Sequence, residues 1–217
     1  MAADPSGDRP SAGKGIVAHP TGLRSDRIHR AVLAATQQLL REGGYPVATV
    51  DAIAQRSGVS KATIYKHWPS RTAVAAKAFG LMMADALPLP DTGTTEGDLT
   101  EQVRQVSAFY ASDLGTVFAQ LVAACVDDAA GAPYFREYFL NGRRAAIAEL
   151  WRRALARGDA DPGVTVDDVI DILFGPLIFR RLTGHYALTD EAAASLARTA
   201  LRGLLRQGRS DTRELAP

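Results

Sequence analysis

The sequence predicts an all-α protein of about nine helices, in which a small front domain of three helices precedes a larger helical domain. Apolar residues recur at helical spacing through most of the 217 residues, and the alternation typical of β-strands is almost absent. Gly, Pro and Asp turns separate the periodic segments. Two short helices of the front domain are also spaced as a helix-turn-helix. This motif depends mostly on residues close together in sequence, so a sequence can predict it.

The chain opens with a segment that lacks the pattern of a folded element. Residues 1–24 are rich in Gly, Pro, Ala and Ser and have no apolar stretch like that of a signal peptide, which predicts a disordered tail. A helix follows over residues 25–42, with apolar side chains at helical spacing. Ser25 is its expected N-cap, and the pair Gly43 and Gly44 ends it.

The next two helices are short and complete a front domain over residues 25–70. Thr49 can cap a helix that runs to Gln55, and Ser60 can cap a second helix that runs to His67. The connection between these helices is short enough for the tight turn of a helix-turn-helix.

Residues around that turn have the required spacing. Ala54 is small where the two helices touch, Gly58 can take positive φ in the turn, and Ile64 seats the second helix. If Ile64 points inward, Trp68 points inward one turn later. The side chains left for display are those of Lys61, Ala62, Tyr65, Lys66 and His67. A helix of this size fits the major groove of B-DNA, so these side chains are candidates for DNA contacts. The alternative interpretation is a surface helix that is only solvated and is anchored by its aromatic residue.

A helix over residues 71–87 is expected to link the front domain to a larger domain over residues 88–217. Pro88 and Pro90 end this helix, and the stretch DTGTTEGD that follows is typical of a linker. Further helices are predicted over residues 98–113, 115–129, 133–157, 166–184 and 189–208.

Charge is unevenly divided along a chain whose net charge is only +1. Residues 1–77 hold 11 Lys and Arg against 5 Asp and Glu, whereas residues 78–217 hold 14 against 19. A basic front of this size fits contact with a nucleic acid or an anionic membrane, although scattered surface charge produces such a balance as well.

Several other classes of protein are disfavoured. The single cysteine, Cys125, allows no disulfide framework, and its apolar neighbours suit a buried side chain in a reducing cytosol. No stretch approaches the roughly 18 apolar residues of a membrane span, so we expect a cytoplasmic protein without a membrane partner. The histidines lack metal-ligand spacing, and no phosphate loop or activated nucleophile is evident. We therefore expect no enzyme, no metal and no cofactor.

The stretch ATVDAIAQRSGVSKATIYKHWPSRTAV resembles the DNA-binding signature of the TetR (tetracycline repressor) family of bacterial transcriptional regulators. The resemblance covers roughly residues 25–80. It implies that the front three helices bind an operator in double-stranded DNA, and that the divergent helical remainder dimerises and binds a small effector. The particular effector and operator sequence do not follow from it.

The resemblance assigns DNA contacts position by position. Thr49 would cap its helix and meet a phosphate, Arg71 would reach another phosphate, and Tyr65 and His67 would contact backbone or bases. Trp68 stands where the family commonly has Phe, which should change only packing. The predicted DNA-binding residues are Thr49, Ser60, Lys61, Ala62, Thr63, Tyr65, Lys66, His67 and Arg71.

The start of the second short helix would be its base-reading end. Ala62 offers only apolar contact, for instance to a thymine methyl group, and Thr63 offers a hydroxyl. Lys61 and Lys66 either read guanine or hold phosphate, and phosphate is the favoured role of Lys66. The basic tail either lies along the minor groove or remains unbound.

A single recognition helix covers too few base pairs for a selective site, which favours a dimer on a two-fold related operator. The helices over residues 166–184 and 189–208 carry more apolar surface than a one-sided outer helix needs. Burial in a monomeric core would explain the same stripes. The family resemblance favours a homodimer through these two helices.

Aromatic residues of the back domain supply candidates for an effector pocket, although ordinary core packing would produce the same spacings. The candidate wall residues are Phe109, Phe118, Tyr134, Tyr138 and Trp151. The candidate polar contacts are Gln120, Asn141 and His185.

The family resemblance suggests how an effector would act. Binding of a small hydrophobic effector would favour a dimer whose recognition helices no longer match successive major grooves, and helix 71–87 would carry the displacement. The expected function is therefore a ligand-responsive repressor that binds a palindromic operator. The alternative is an effector-independent architectural or activating DNA-binding protein.

Overall fold

The computed structural model describes residues 22–84 and 86–204, and within these ranges every regular element is helical. The elements are α1 (Leu23–Val47), α2 (Val50–Ser57), α3 (Lys61–His67), α4 (Arg71–Met83), α5 (Thr95–Ala111), α6 (Asp113–Asp127), α7 (Ala132–Phe135), α8 (Asn141–Arg157), α9 (Val166–Thr183) and α10 (Asp190–Leu204). A π-helical turn, Arg136–Leu140, joins α7 to α8 without a break. With α7, the π-helical turn and α8 counted as one, the described chain contains nine helices, and the predicted all-α fold is confirmed.

The first helix starts earlier than the sequence indicates. Its N-cap is Gly22, and Ser25 already lies in the first turn, where its amide donates to the Gly22 carbonyl at 2.8 Å. The prediction of Ser25 as N-cap is therefore wrong. The helical backbone ends at Gly43 and Gly44 as predicted, because both leave helical geometry and Gly44 has φ of +73°. Residues 1–21 of the predicted tail lie outside the described residues.

Boundaries in the middle of the chain also differ from prediction. The linking helix α4 ends at Met83 rather than residue 87, and α5 begins at Thr95 inside the predicted linker. The side chain of Thr94 accepts a hydrogen bond from the amide of Gly97 at 3.1 Å, so it caps a helix that begins three residues before the predicted start. The capping box of Thr165 and Asp168 at the start of α9 is present. Residues 205–208 of the predicted last helix lie outside the described residues.

A continuous apolar core connects the front helices to the back of the molecule. The linking helix α4 is buried along almost its whole length, and it packs on α1, α6, α7 and the π-helical turn. We call the helices from α5 to α10 the rear half of the molecule. Helix α5 lies at its centre, where it contacts α6, α8, α9 and α10. Because α4 is enclosed on several sides, it cannot move without displacing residues in both halves.

None of the helices between residues 22 and 204 combines the length and hydropathy of a membrane span. Helices α5 and α6 reach that composition only as a pair, and they are bent by 82° where they meet.

Candidate nucleic-acid interface

Local hydrogen bonds set the geometry of the helix-turn-helix. The hydroxyl oxygen of Thr49 accepts from the amide of Ala52 at 3.2 Å, and that of Ser60 accepts from the amide of Thr63 at 3.2 Å. Between the two helices Gly58 has φ of +68°, a conformation that glycine adopts without strain. Both predicted caps and the predicted glycine turn are therefore confirmed.

Helix α3 is anchored on one side and displayed on the other. Ile64 and Trp68 are each 1% exposed in the core, whereas the Tyr65 side chain is 52% exposed. Ala62 and Lys66 are also exposed. The helix therefore projects its polar and cationic face away from the protein, as a helix that enters a DNA groove must do.

Two polar side chains at the start of α3 already have partners. The ammonium group of Lys61 forms an ion pair with Asp51 of α2, and its hydrogen bond to that carboxylate raises the pKa of Lys61. The hydroxyl groups of Thr63 and Ser60 lie 2.9 Å apart. Because both members of the ion pair are exposed, a phosphate can replace the carboxylate of Asp51 with little loss.

The imidazole of His67 is held against α1. Its Nδ1 lies 3.1 Å from Nε2 of His29, and both rings pack beside the indole of Trp68. Burial, followed by the nearby His67 and Lys77, lowers the pKa of His29. His67 is half-buried, so its position depends on α1 as well as on α3.

The guanidinium of Arg71 turns inward. Its Nε donates to the Ala48 carbonyl at 3.1 Å, another of its nitrogens donates to the Tyr45 carbonyl, and the group lies 3.9 Å from the centre of the Tyr45 ring. The Tyr45 hydroxyl lies 2.9 Å from the hydroxyl oxygen of Thr72. Arg71 thus joins the chain after α1 to the start of α4, and its predicted phosphate contact stays a prediction.

The same region contacts the rear half through residues that the sequence did not single out for this purpose. The amide of Tyr45 donates to Oε1 of Gln120 in α6 at 2.8 Å. Partial burial raises the pKa of Asp128, but hydrogen bonds from Ser70, Thr72 and the nearby backbone lower it further, so its net shift is downward. We call Tyr45, Arg71, Gln120 and Asp128 the junction cluster. Gln120 was a candidate ligand contact, whereas here it supports this cluster.

A cavity of about 90 Å³ lies among α5, α8 and α9 in the rear half. Of the five predicted wall residues only Phe109 lines it. Phe118 and Trp151 belong to the solid core, and the Trp151 indole donates to the Val164 carbonyl at 3.2 Å. The rings of Tyr134 and Tyr138 pair with each other outside the cavity wall. Asn141 and His185 do not line the cavity either.

Sequence reasoning missed three polar residues of the cavity wall, Gln102, Arg143 and Arg144. Gln102 lies between Leu99 and Val106 on the buried side of α5. A polar residue at an apolar position of a helical stripe is the signal by which Gln102 could have been found. No such signal marks Arg143. The residues before it are both polar and apolar and its helix has exposed faces, so an arginine there is not out of place.

Comparison with known proteins assigns both halves of the chain. Residues 32–78 match "Bacterial regulatory proteins, tetR family", and residues 89–200 match "Tetracyclin repressor-like, C-terminal domain". The HTH-type transcriptional regulator YdeS of Bacillus subtilis (strain 168) is 33% identical over 181 residues, which cover 83% of this chain and 91% of that protein. The DNA-binding transcriptional repressor TetR of Mycobacteroides abscessus is 26% identical over 187 residues, which cover 85% and 97%.

A solved structure has the same architecture. The crystal structure of the TetR family transcription regulator SCO0332 matches with a TM-score of 0.72 at 32% identity, over 82% of this chain and 98% of that chain. The fold, the displayed face of α3 and these matches define a DNA-binding transcriptional regulator of the helix-turn-helix type. The chain belongs to the tetR family of bacterial regulatory proteins.

Proposed function

We propose that this regulator is a repressor that binds a palindromic operator as a homodimer and leaves it when a small, largely hydrophobic effector enters the cavity. The observation that carries the proposal is the placement of α4. Its first residues belong to the junction beside the DNA-binding helices, and the carbonyl of Ala84 at its other end accepts from Arg143 of the cavity wall at 3.3 Å. A single buried helix therefore touches both sites.

Operator recognition would use the displayed side of α3. Lys61, Ala62 and Thr63 would face base edges, where each good bidentate contact discriminates by about 1–3 kcal/mol. Lys66 would bind phosphate, as would Thr49 at the start of α2. The inward Arg71 would support this surface from behind, with a phosphate contact only if the guanidinium turns outward.

Homodimerisation would use α9 more than α10. Helix α9 exposes three apolar side chains at helical spacing, and the turn after it exposes a fourth: Ile172, Phe179, Leu182 and Tyr186. The apolar stripe of α10 is already covered, because Ala193, Ala197 and Leu201 are buried and α10 packs on α5. Exposed apolar surface of this kind favours a partner. The outer face of α10 is polar and would form the rim of that interface.

Effector action would be a shift between two arrangements of α4. Effector in the cavity would favour one position of the C-terminal end of α4, and the junction cluster would transmit that position to α1 and α3. By linkage, operator binding would weaken effector binding by the same factor. An effector-independent DNA-binding protein is the rival function, and an enzyme is disfavoured by the family to which the chain belongs.

Selection of bound duplexes from a random DNA pool by the purified full-length protein tests the proposal at near-physiological salt. The expected result is a palindrome with half-sites about one helical turn apart. The selected duplex then serves as the probe for effector titrations. Binding without sequence enrichment that fades as salt rises would contradict an operator-reading repressor.

A further inference from the structure

The cavity is small and mostly apolar. Its walls include Val106, Phe109, Ile147, Phe174 and Ile178. One water needs about 10–15 Å³ of cavity volume, so a cavity of about 90 Å³ has room for a small organic molecule. A single aromatic ring or a short branched chain with one polar end has this size. A long acyl chain would require the walls to separate.

Within this apolar wall Gln102 lacks a hydrogen-bond partner for its side-chain oxygen. The residue is 3% exposed, and Oε1 has no donor among residues 22–84 and 86–204. A buried acceptor without a donor is destabilising. Its presence in a cavity wall therefore indicates that a bound ligand supplies the hydrogen-bond donor. A ligand hydroxyl or amide N–H would satisfy it.

The second polar group is the guanidinium of Arg143. It is half-buried, and burial lowers the pKa of Arg143. It donates hydrogen bonds to the carbonyls of Ala84 at 3.3 Å and Leu87 at 3.4 Å, and it has no carboxylate partner in the described part of the chain. The neighbouring Arg144 also lines the cavity, but its guanidinium already has a carboxylate partner in Asp167.

Resting on the proposed function, we propose that the cavity binds a small carboxylate with an apolar body and one hydrogen-bond donor. Arg143 would bind the carboxylate, and Gln102 would accept from the donor. A carboxylate matches the planar fork of a guanidinium and supplies the missing counter-charge at a half-buried cation. The ring or branched chain between the two polar ends would fill the apolar space.

This assignment also explains how ligand binding in the cavity would affect α4. Ala84 is the C-cap of α4. Leu87 lines the cavity, and its carbonyl oxygen accepts a hydrogen bond from Arg143. A ligand carboxylate competes with these two carbonyl oxygens for the same N–H groups, and the charged acceptor is the stronger one. Ligand binding therefore weakens the hold of Arg143 on the end of α4.

The test is calorimetric titration of the full-length protein with 3-hydroxybenzoate, 4-hydroxybenzoate, benzoate and the two corresponding hydroxybenzyl alcohols. At least one hydroxybenzoate should bind about 10-fold or more tightly than its alcohol, because the alcohol lacks the charge. Benzoate should be weaker than that hydroxybenzoate, because it leaves Gln102 unpaired. Equal binding of alcohol and carboxylate, or no binding by any of the five compounds, would overturn the proposal.

Variants assign each preference to its residue. Arg143→Met should lower hydroxybenzoate affinity about 10-fold while the alcohols keep theirs. Gln102→Leu should remove the preference for the hydroxyl and leave benzoate binding intact. Arg152→Met is the matched control, with a change of less than about 2-fold, because this arginine of α8 lies outside the cavity wall and its charge is exposed and paired with Glu149. An Arg152→Met loss equal to that of Arg143→Met would also overturn the assignment.

The affinity of the selected operator duplex, measured with and without the hydroxybenzoate, separates this inference from the proposed function. Tight, Arg143-dependent ligand binding that leaves operator affinity unchanged would refute the ligand-responsive repressor and retain the ligand class. Operator release by one of the alcohols instead would retain the repressor and refute the ligand class.

Discussion

Nε2 of His29 lies 3.1 Å from Nδ1 of His67, so that a histidine of α1 holds the last residue of α3. One imidazole must donate and the other accept, which requires that the two rings are not both protonated. The pair therefore makes the attachment of α3 sensitive to pH.

Acidification should destabilise the protein through this pair. Burial and the adjacent cations lower the pKa of His29 in the folded state, so near pH 6 the unfolded chain binds more protons than the folded one. The contribution to stability is complete above the ordinary histidine pKa of about 6.5 and is lost as the pH falls through the lowered value. Thermal unfolding from pH 7.5 to pH 5 should show this loss, and His29→Gln should reduce it. A His185→Gln control should retain the wild-type profile, and an unchanged profile in His29→Gln would contradict the prediction.

Lys66→Ala should weaken operator binding equally for matched and mismatched sequences. If Lys66 holds a phosphate, the slope of log K against log salt should decrease in magnitude by about 0.9 per protomer. Binding isotherms at several salt concentrations measure this slope. Arg202→Ala, an exposed cation on α10, is the control and should leave the slope unaltered. A change in sequence preference with no change in slope would instead assign Lys66 to base reading.

Arg71→Lys should lower stability even though it keeps the charge. Lysine cannot donate to the carbonyls of both Tyr45 and Ala48 and stack on the Tyr45 ring at once, so the free energy of unfolding should fall by about 1–3 kcal/mol. Urea unfolding measures the change, with Arg41→Lys as an exposed control on α1. Full stability of Arg71→Lys would contradict this inward, structural role of the guanidinium.

Gln120→Leu should reduce communication between the two sites. It leaves the amide of Tyr45 without its acceptor, whereas Gln120→Glu keeps an oxygen in that place. Coupling free energies are typically about 1–3 kcal/mol, and we expect the leucine variant to lose most of this value. Operator affinity with and without a cavity ligand measures it. Coupling that is equal in both variants would exclude Gln120 from the transmission.

Phe179→Glu should yield monomers at concentrations where the unaltered protein is dimeric. The side chain is 59% exposed on the apolar strip of α9, and a carboxylate there would be buried unpaired in a two-fold interface. Sedimentation velocity measures the change. Val126→Glu alters an apolar residue of α6 that is 82% exposed, and it should not affect assembly. Dimers that persist in Phe179→Glu would require a different interface.

Much of the fold follows from short-range patterns. The caps at Thr49 and Ser60, the turn at Gly58 and the inward residues Ile64 and Trp68 were predictable because each depends on neighbours within about four positions. The predicted start of α1 is wrong for a related reason. Ser25 is a good capping residue, yet a glycine three positions earlier admits the same turn without a side-chain bond.

The candidate cavity was predicted less well. Aromatic spacing marks a buried face without distinguishing solid core from an open wall, and so Phe118 and Trp151 were chosen with Phe109. Whether a cavity remains among packed helices depends on small differences in their separation, which no local pattern encodes.

By itself the sequence determined the family, the helical architecture and the displayed face of α3, because helix periodicity, caps and the helix-turn-helix spacing are properties of adjacent residues. Only the tertiary structure decided that Arg71 turns inward, that Gln120 meets Tyr45, and that Gln102 and Arg143 share one cavity. Tyr45 and Gln120 are 75 positions apart. Contacts of that range depend on how whole helices pack, which buried surface and shape determine together.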